Sequence, residues 1–156
     1  RWDRNANNVT IEVTEADPVL LYVLYDLPTA SDELWKITNT GTGAWTQVSG
    51  SYSVTYGGGN GFGVSQTQAG DVFLAKADRY QTYVSESWSN YSSTSANVLE
   101  YHVDVEDLVG HPVNDGEVWM ADHGGIHRST DNGTTWQWKG VWLVRGGSLS
   151  HVVVVL

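Results

Sequence analysis

Apolar positions in this chain come in short runs, and Gly, Ser, Thr and Asn interrupt them every few residues. The runs Val19-Tyr25, Val72-Ala75 and Val118-Ala121 are rich in β-branched and aromatic side chains, which predicts strands. They recur with a spacing of 53 residues from Val19 to Val72 and 46 from Val72 to Val118. A second series follows. Leu34-Thr38 and Gly125-Ser129 are short strand-like segments ending in a hydroxyl residue, and each leads through a Gly-containing turn to a tryptophan, Trp45 or Trp136. The equivalent middle copy, around Tyr83-Val84-Ser85, is more degenerate. Only Ala96-Val109 has any helical flavour. There Tyr101, Val103 and Val105 alternate with His102, Asp104 and Glu106 at period two, which predicts a strand. No substantial helix is expected.

A repeat of roughly 40 to 50 residues with about four short strands per copy is the pattern of a β-propeller blade. The expected fold is therefore all-β: about three four-stranded antiparallel blades, over residues 18–50, 62–100 and 107–142, with 143–156 beginning the next. The 156 residues amount to one domain. Closed propellers usually have four to eight blades, so the chain reads as a segment of a larger propeller, or as one whose ring further copies close. If the chain is a structural assembly module, Val9-Val13 and Val152-Leu156 are expected to pair with another chain or with missing blades. The absence of an initiator Met and the ending on Val-Val-Val-Val-Leu point the same way. The alternative fold is an independent β-sandwich.

Composition narrows the partners. Eight Lys and Arg stand against 18 Asp and Glu, a formal net charge of −10, which repels phosphate backbones and anionic lipid. Neither nucleic acid nor membrane insertion is expected, and the longest apolar run, seven residues from Val19 to Tyr25, is far short of a spanning helix. Without cysteine there is no disulfide framework and no thiolate metal site.

The most specific motif is Ser129-Thr130-Asp131-Asn132-Gly133-Thr134-Thr135-Trp136. In such a turn Asp131 accepts hydrogen bonds from backbone N–H groups ahead of it, Gly133 supplies a positive φ, Ser129 bonds back to the carboxylate and Trp136 covers the turn. The spacing Ser-x-Asp-x-Gly-x-Thr-Trp resembles the Asp-box, or BNR repeat, of the sialidase, sortilin and xyloglucanase superfamily of propellers. The preceding Gly124-Gly125-Ile126-His127-Arg128 is similar to the lead-in of that box. The first blade keeps the hydroxyl and tryptophan, Thr38 to Trp45, without the aspartate. The resemblance implies that Ser129, Asp131, Gly133, Thr135 and Trp136 are structural, away from any catalytic funnel.

Candidate chemistry lies in Tyr101-Leu108. On a strand, His102, Asp104 and Glu106 share one face, and in a propeller the first strand of a blade lines the channel, where Asp104 and Glu106 are the nominated carboxylate pair. A similar His-x-Asp-x-His-Asp stretch occurs in bacterial extracellular proteins of this type; Glu106 replaces the second His, which argues against a His-based metal site. His102, His111, His123 and His127 also cluster in sequence, but Gly124-Gly125 interrupts the His123–His127 spacing, so no metal or other cofactor is expected. None of the five arginines begins the Arg-Ile-Pro type motif that sialidases share, which disfavours that activity. Trp88 and Tyr91, in the Ser-rich stretch Ser85-Ser95, are the candidates for an exposed sugar-stacking surface, with His102 beside them as a ligand-binding residue, whereas Trp136 and Trp138 are expected to be packed together. The resulting expectation is a secreted, extracellular or cell-surface scaffold that binds carbohydrate or a surface glycan. The alternatives are a glycoside hydrolase of the xyloglucanase or sialidase-like type and a structural module that closes a ring with remaining blades or further copies.

Overall fold

The computed structural model describes residues 8–27, 32–38, 43–48, 60–76, 79–92 and 105–140. Within them lie twelve strands and no helix, hence no helix long and apolar enough to cross a membrane. The strands are β1 (Asn8–Thr14), β2 (Asp17–Asp26), β3 (Glu33–Thr38), β4 (Thr46–Gln47), β5 (Asn60–Val64), β6 (Val72–Lys76), β7 (Arg79–Val84), β8 (Ser87–Ser92), β9 (Asp107–Gly110), β10 (Val118–Asp122), β11 (Gly125–Ser129) and β12 (Gln137–Trp138). They form three separate sheets, β1-β2-β3-β4, β5-β6-β7-β8 and β9-β10-β11-β12, each a simple antiparallel meander. The recurring apolar runs are the second strands, β2, β6 and β10. Each is flanked on both sides by partners, which explains their near-continuous hydrophobicity.

The first strands approach one another, β1 against β5 and β5 against β9. Among the described residues the fourth strands make no comparable approach, so the sheets fan out from their first strands as propeller blades do. No strand is exchanged between sheets, unlike a Greek-key sandwich. Two cores fill the gaps. Leu20, Tyr22, Leu24 and Leu34 of the first sheet meet Phe62, Val64, Val72 and Leu74 of the second. On the other side of the second sheet, Phe73, Ala75 and Tyr80 meet Leu108, Val118, Met120 and Trp136.

The sequence of β5, Asn-Gly-Phe-Gly-Val, solves two problems at once. Phe62 and Val64 point toward the first sheet, while Gly61 and Gly63 face β9. A Cβ at Gly63 would sit 2.8 Å from the Leu108 carbonyl carbon, and one at Gly61 the same distance from Val105 Cγ1. Only glycine permits this approach of neighbouring first strands.

Several expectations need correction. Val9-Val13 forms β1 and pairs along one edge with β2 of its own sheet, through Val9 to Tyr25 and Val13 to Leu21, so the first blade begins before residue 18. Glu106 precedes β9 and is not part of a continuous strand with it. Its N–H and the β9 pairing of Asp107 both fall on Ala121, a bulge-like offset that breaks the period-two phase. Val105 and Leu108 therefore both reach the core. His102 and Asp104 lie outside the described residues, as does Val152-Leu156.

Candidate functional site

The meander brings the β10–β11 turn, Asp122-His123-Gly124-Gly125, to the end of the third sheet where β9 begins. Asp122 is fully buried and Asp122 Oδ1 accepts the Gly124 N–H at 2.7 Å, while His127 Nε2 lies 3.2 Å from Oδ1 and 3.1 Å from Oδ2. Both carboxylate oxygens are thus occupied, which pins the turn to β11. Outside this buried pair sits a second one: His123 Nε2 lies 3.1 Å from Glu106 Oε1, with side chains 46% and 24% exposed. An imidazole and a carboxylate therefore stand together at the surface.

Trp138 completes the arrangement. It pairs with His127 across β11 and β12, and its indole N–H donates to the Gly124 carbonyl at 3.2 Å. Trp138 is nonetheless 45% exposed, so the expectation that it packs with Trp136 is corrected. Trp136 is buried and edge-on to Tyr80, with ring centroids 5.4 Å apart. The result is an indole on β12 anchored to the turn that carries His123, the imidazole of the pair with Glu106.

Trp88 and Tyr91 do not form an open aromatic surface. Trp88 packs on Tyr83 with centroids 4.9 Å apart, and Tyr91 stacks on Tyr80 at 5.7 Å; both are half-buried beside the cores. Their alternation along β8 places one toward each neighbouring sheet, which the Ser-rich composition concealed.

At the opposite end of the third sheet, residues 129–136 turn tightly between β11 and β12. Ser129 Oγ donates to Asp131 Oδ1 at 2.7 Å and accepts the Gly133 N–H at 2.9 Å; Asp131 also accepts from the Thr135 N–H and hydroxyl at 2.8 and 2.7 Å. These donors outweigh the effect of burial and hold the Asp131 carboxyl below its usual range. Asn132 and Gly133 have φ of 55° and 78°. The Asn132 N–H bonds to the Gly116 carbonyl, tying this turn to the β9–β10 connection. The turn is a closed hydrogen-bonded unit with no carboxylate oxygen presented for chemistry.

Two further carboxylates are perturbed. Glu117 is buried and accepts from Arg128 at 2.5 Å, Asn114 at 3.0 Å and Trp119 at 2.8 Å, and the Arg128 guanidinium holds it down at about 2. Glu12, on β1, is pushed up to about 7, chiefly by burial and secondly by the negative charge of Asp107 on β9. Glu12 and Asp107 both lie on first strands, which converge, whereas Glu117 precedes β10 and is held by Arg128 of β11. No local sequence signal marks Glu12, because its burial and the nearby charge of Asp107 come from the packing of separate sheets. The histidine cluster disperses: His111 accepts the Val113 and Asn114 N–H groups in the β9–β10 loop, while His123 and His127 go to separate pairs.

No family model matches the chain, and no curated protein matches it. Among solved structures it is similar to the Niastella koreensis GH74 enzyme, at 16% identity and a TM-score of 0.45, covering 81% of this chain and 23% of that one. It is also similar to Kuenenia stuttgartiensis hydrazine synthase, at 8% identity and a TM-score of 0.56, covering 80% of this chain and 45% of that one. The chain thus spans less than half of either. At these identities the likeness is one of fold, and together with the three fanned meanders it makes the chain an all-β protein built of propeller blades.

Proposed function

We propose that the chain is a segment of an extracellular Asp-box propeller that binds carbohydrate without cleaving it. The observation that carries this reading is Trp138 of β12: a 45% exposed indole whose N–H is tied to the Gly124 carbonyl, next in sequence to His123, which pairs with Glu106. A sugar ring stacks its C–H face on such a platform while its hydroxyls find a carboxylate acceptor and an imidazole. Orientation is fixed before binding, so little rotamer entropy is lost. The hydrogen bonds of Ser129, Asp131, Gly133 and Thr135 support the Asp-box reading, with Trp136 as its cover and all five residues structural.

The test is titration of the intact chain with neutral oligosaccharides, followed by tryptophan fluorescence and calorimetry. A saturable blue shift is expected, with Trp138→Ala weakening binding about three- to tenfold, the loss of one stacking contact. Saturable binding that Trp138→Ala leaves unchanged would reject this site, and the absence of binding across the panel would reject the carbohydrate reading.

A second reading is glycoside hydrolysis, which needs one protonated and one ionised carboxyl across a cleft; Glu12 on the first strand β1, which packs beside β5 with β9 on its far side, is the candidate for the protonated one, since burial and then the charge of Asp107 push its carboxyl up to about 7. Release of reducing sugar by the wild type that Glu12→Gln abolishes would establish it in place of simple binding.

A further inference from the structure

The turn over residues 129–136 contains an Asn-Gly pair, Asn132-Gly133, with φ of 55° and 78°. Asparagine and glycine accept such left-handed angles most readily, which accounts for the pair as turn chemistry. The same dipeptide carries a reaction of its own. The amide carbon Cγ of an asparagine lies within ring-closing reach of the next residue's backbone nitrogen, and a following glycine has no Cβ to shield that nitrogen.

In the folded chain the reacting groups are held apart. The Gly133 N–H donates to Oγ of the buried Ser129 at 2.9 Å. The Asn132 N–H donates to the Gly116 carbonyl at 2.9 Å, and Asn132 Cγ lies over Gly116, 3.7 Å from where a Cβ on that glycine would stand. Tyr80 sits so close to Gly133 that no methyl group fits between them. Asn132 Oδ1 is buried without a hydrogen-bond partner among the described residues, a cost that ends when the turn opens. The other Asn-Gly pair, Asn60-Gly61, lies in β5, paired with Lys76 and Ala75 in the ladder.

We infer that Asn132 is a site of self-modification, an intramolecular deamidation that the closed turn holds off and that opening of the turn lets through. Once the turn opens, the Gly133 nitrogen gives its proton to solvent and attacks Asn132 Cγ. The N–Cγ bond forms, the Cγ–Nδ2 bond breaks, and Nδ2 takes up a proton and leaves as ammonia. Water then opens the succinimide ring at either carbonyl, leaving aspartate or isoaspartate. Neither product fits the closed turn. Isoaspartate adds a carbon to the main chain inside a unit whose hydrogen bonds close over a few residues, and aspartate sets a second carboxylate beside Asp131 and an ionised oxygen where Oδ1 is buried. Modification therefore makes the opening permanent and loosens the contact of Trp136 with Tyr80, which joins the third sheet to the second. The inference stands apart from sugar binding.

The experiment is prolonged incubation of the intact chain at mildly alkaline pH, folded and in guanidinium chloride, with peptide mapping by mass spectrometry that resolves Asn132 from Asn60 and isoaspartate from aspartate. Asn132 is expected to react at least about tenfold more slowly in the folded chain, since the reaction runs through the open fraction. Ser129→Ala removes the acceptor of the Gly133 N–H and should speed the folded-state reaction at Asn132 about five- to thirtyfold, with Asn60 unchanged. The chain modified at Asn132 should melt at a lower temperature than the unmodified chain from the same incubation. Should Ser129→Ala unfold the chain, seen as lost near-UV circular dichroism and acceleration at both asparagines, Thr135→Val takes its place, because it removes only the hydroxyl bond to Asp131. Equal rates at Asn132 in the folded and unfolded chain would overturn the inference, as would an Asn132 that stays intact in guanidinium chloride. So would a folded variant that reacts no faster than the wild type, or a modified chain whose melting temperature is unchanged.

Discussion

Gly133→Ala tests whether the 129–136 turn clasps two blades. Gly133 has φ of 78°, where a Cβ costs about 1 kcal/mol through backbone strain alone. The new methyl would also fall on the Tyr80 hydroxyl, 2.6 Å from Cζ and 2.9 Å from Cε1. Tyr80 has little room to yield, being fully buried, stacked on Tyr91 and edge-on to Trp136. Forcing an extra methyl into such a core typically costs about 1–3 kcal/mol. The two contributions sum to about 2–4 kcal/mol, a large part of the roughly 5–15 kcal/mol that holds a domain together. For a chain of this length a loss of 3 kcal/mol lowers the melting temperature by roughly 6–12 °C. Thermal and urea unfolding, followed by tryptophan fluorescence, give the value. Repeating the substitution in a Tyr80→Leu background, where the side chain ends short of the turn, should recover the steric part and leave the backbone part. Gly133→Ala costing under about 0.5 kcal/mol, or costing as much in the Tyr80→Leu background as in the wild type, would refute the clasp and leave the turn as a local cap on the third blade.

Two more outcomes follow from the same geometry. Glu12 holds its proton up to about pH 7 when folded and releases it near 4.5 when unfolded, so stability should fall as pH rises from about 4.5 to 7. Below that window both states are protonated and the effect is absent. Allowing for its partial exposure, Glu12→Gln should raise stability at pH 8 by about 1–2 kcal/mol and flatten that part of the pH profile, read by urea midpoints from pH 4 to 8. The β7–β8 turn places Ser85 and Glu86 at φ of 50° and 61°, where neither residue type sits comfortably. Replacing the pair by Asn-Gly should raise the urea midpoint by the equivalent of about 1 kcal/mol, because the Ser85 N–H that bonds to Asp71 Oδ1 is a backbone donor and is retained.

Local chemistry made much of the fold legible. The second strands announced themselves because a strand with partners on both sides must be apolar throughout, and Val19-Tyr25, Val72-Ala75 and Val118-Ala121 are. The Ser129-Trp136 turn was readable because its hydrogen bonds close within eight residues, so the spacing of Ser, Asp, Gly and Thr carries the geometry. The Ser85-Glu86 turn was missed for the converse reason: it holds positive φ without the Gly or Asn that signals it.

What depended on distant parts of the chain lay beyond local reading. Trp136 and Trp138 share a short segment, yet Trp136 is buried against Tyr80 of the second sheet and Trp138 is 45% exposed. The phase slip at Glu106 follows from its bond to Ala121 and from the glycines of β5, some 45 residues earlier, that admit Val105 and Leu108 together. Trp138 meets the Glu106–His123 pair only through the β10–β11 turn, and Glu12 feels Asp107 only because first strands converge at the hub. Periodicity within one strand determines which faces are apolar; which face is covered, and by what, is decided by how the sheets stack.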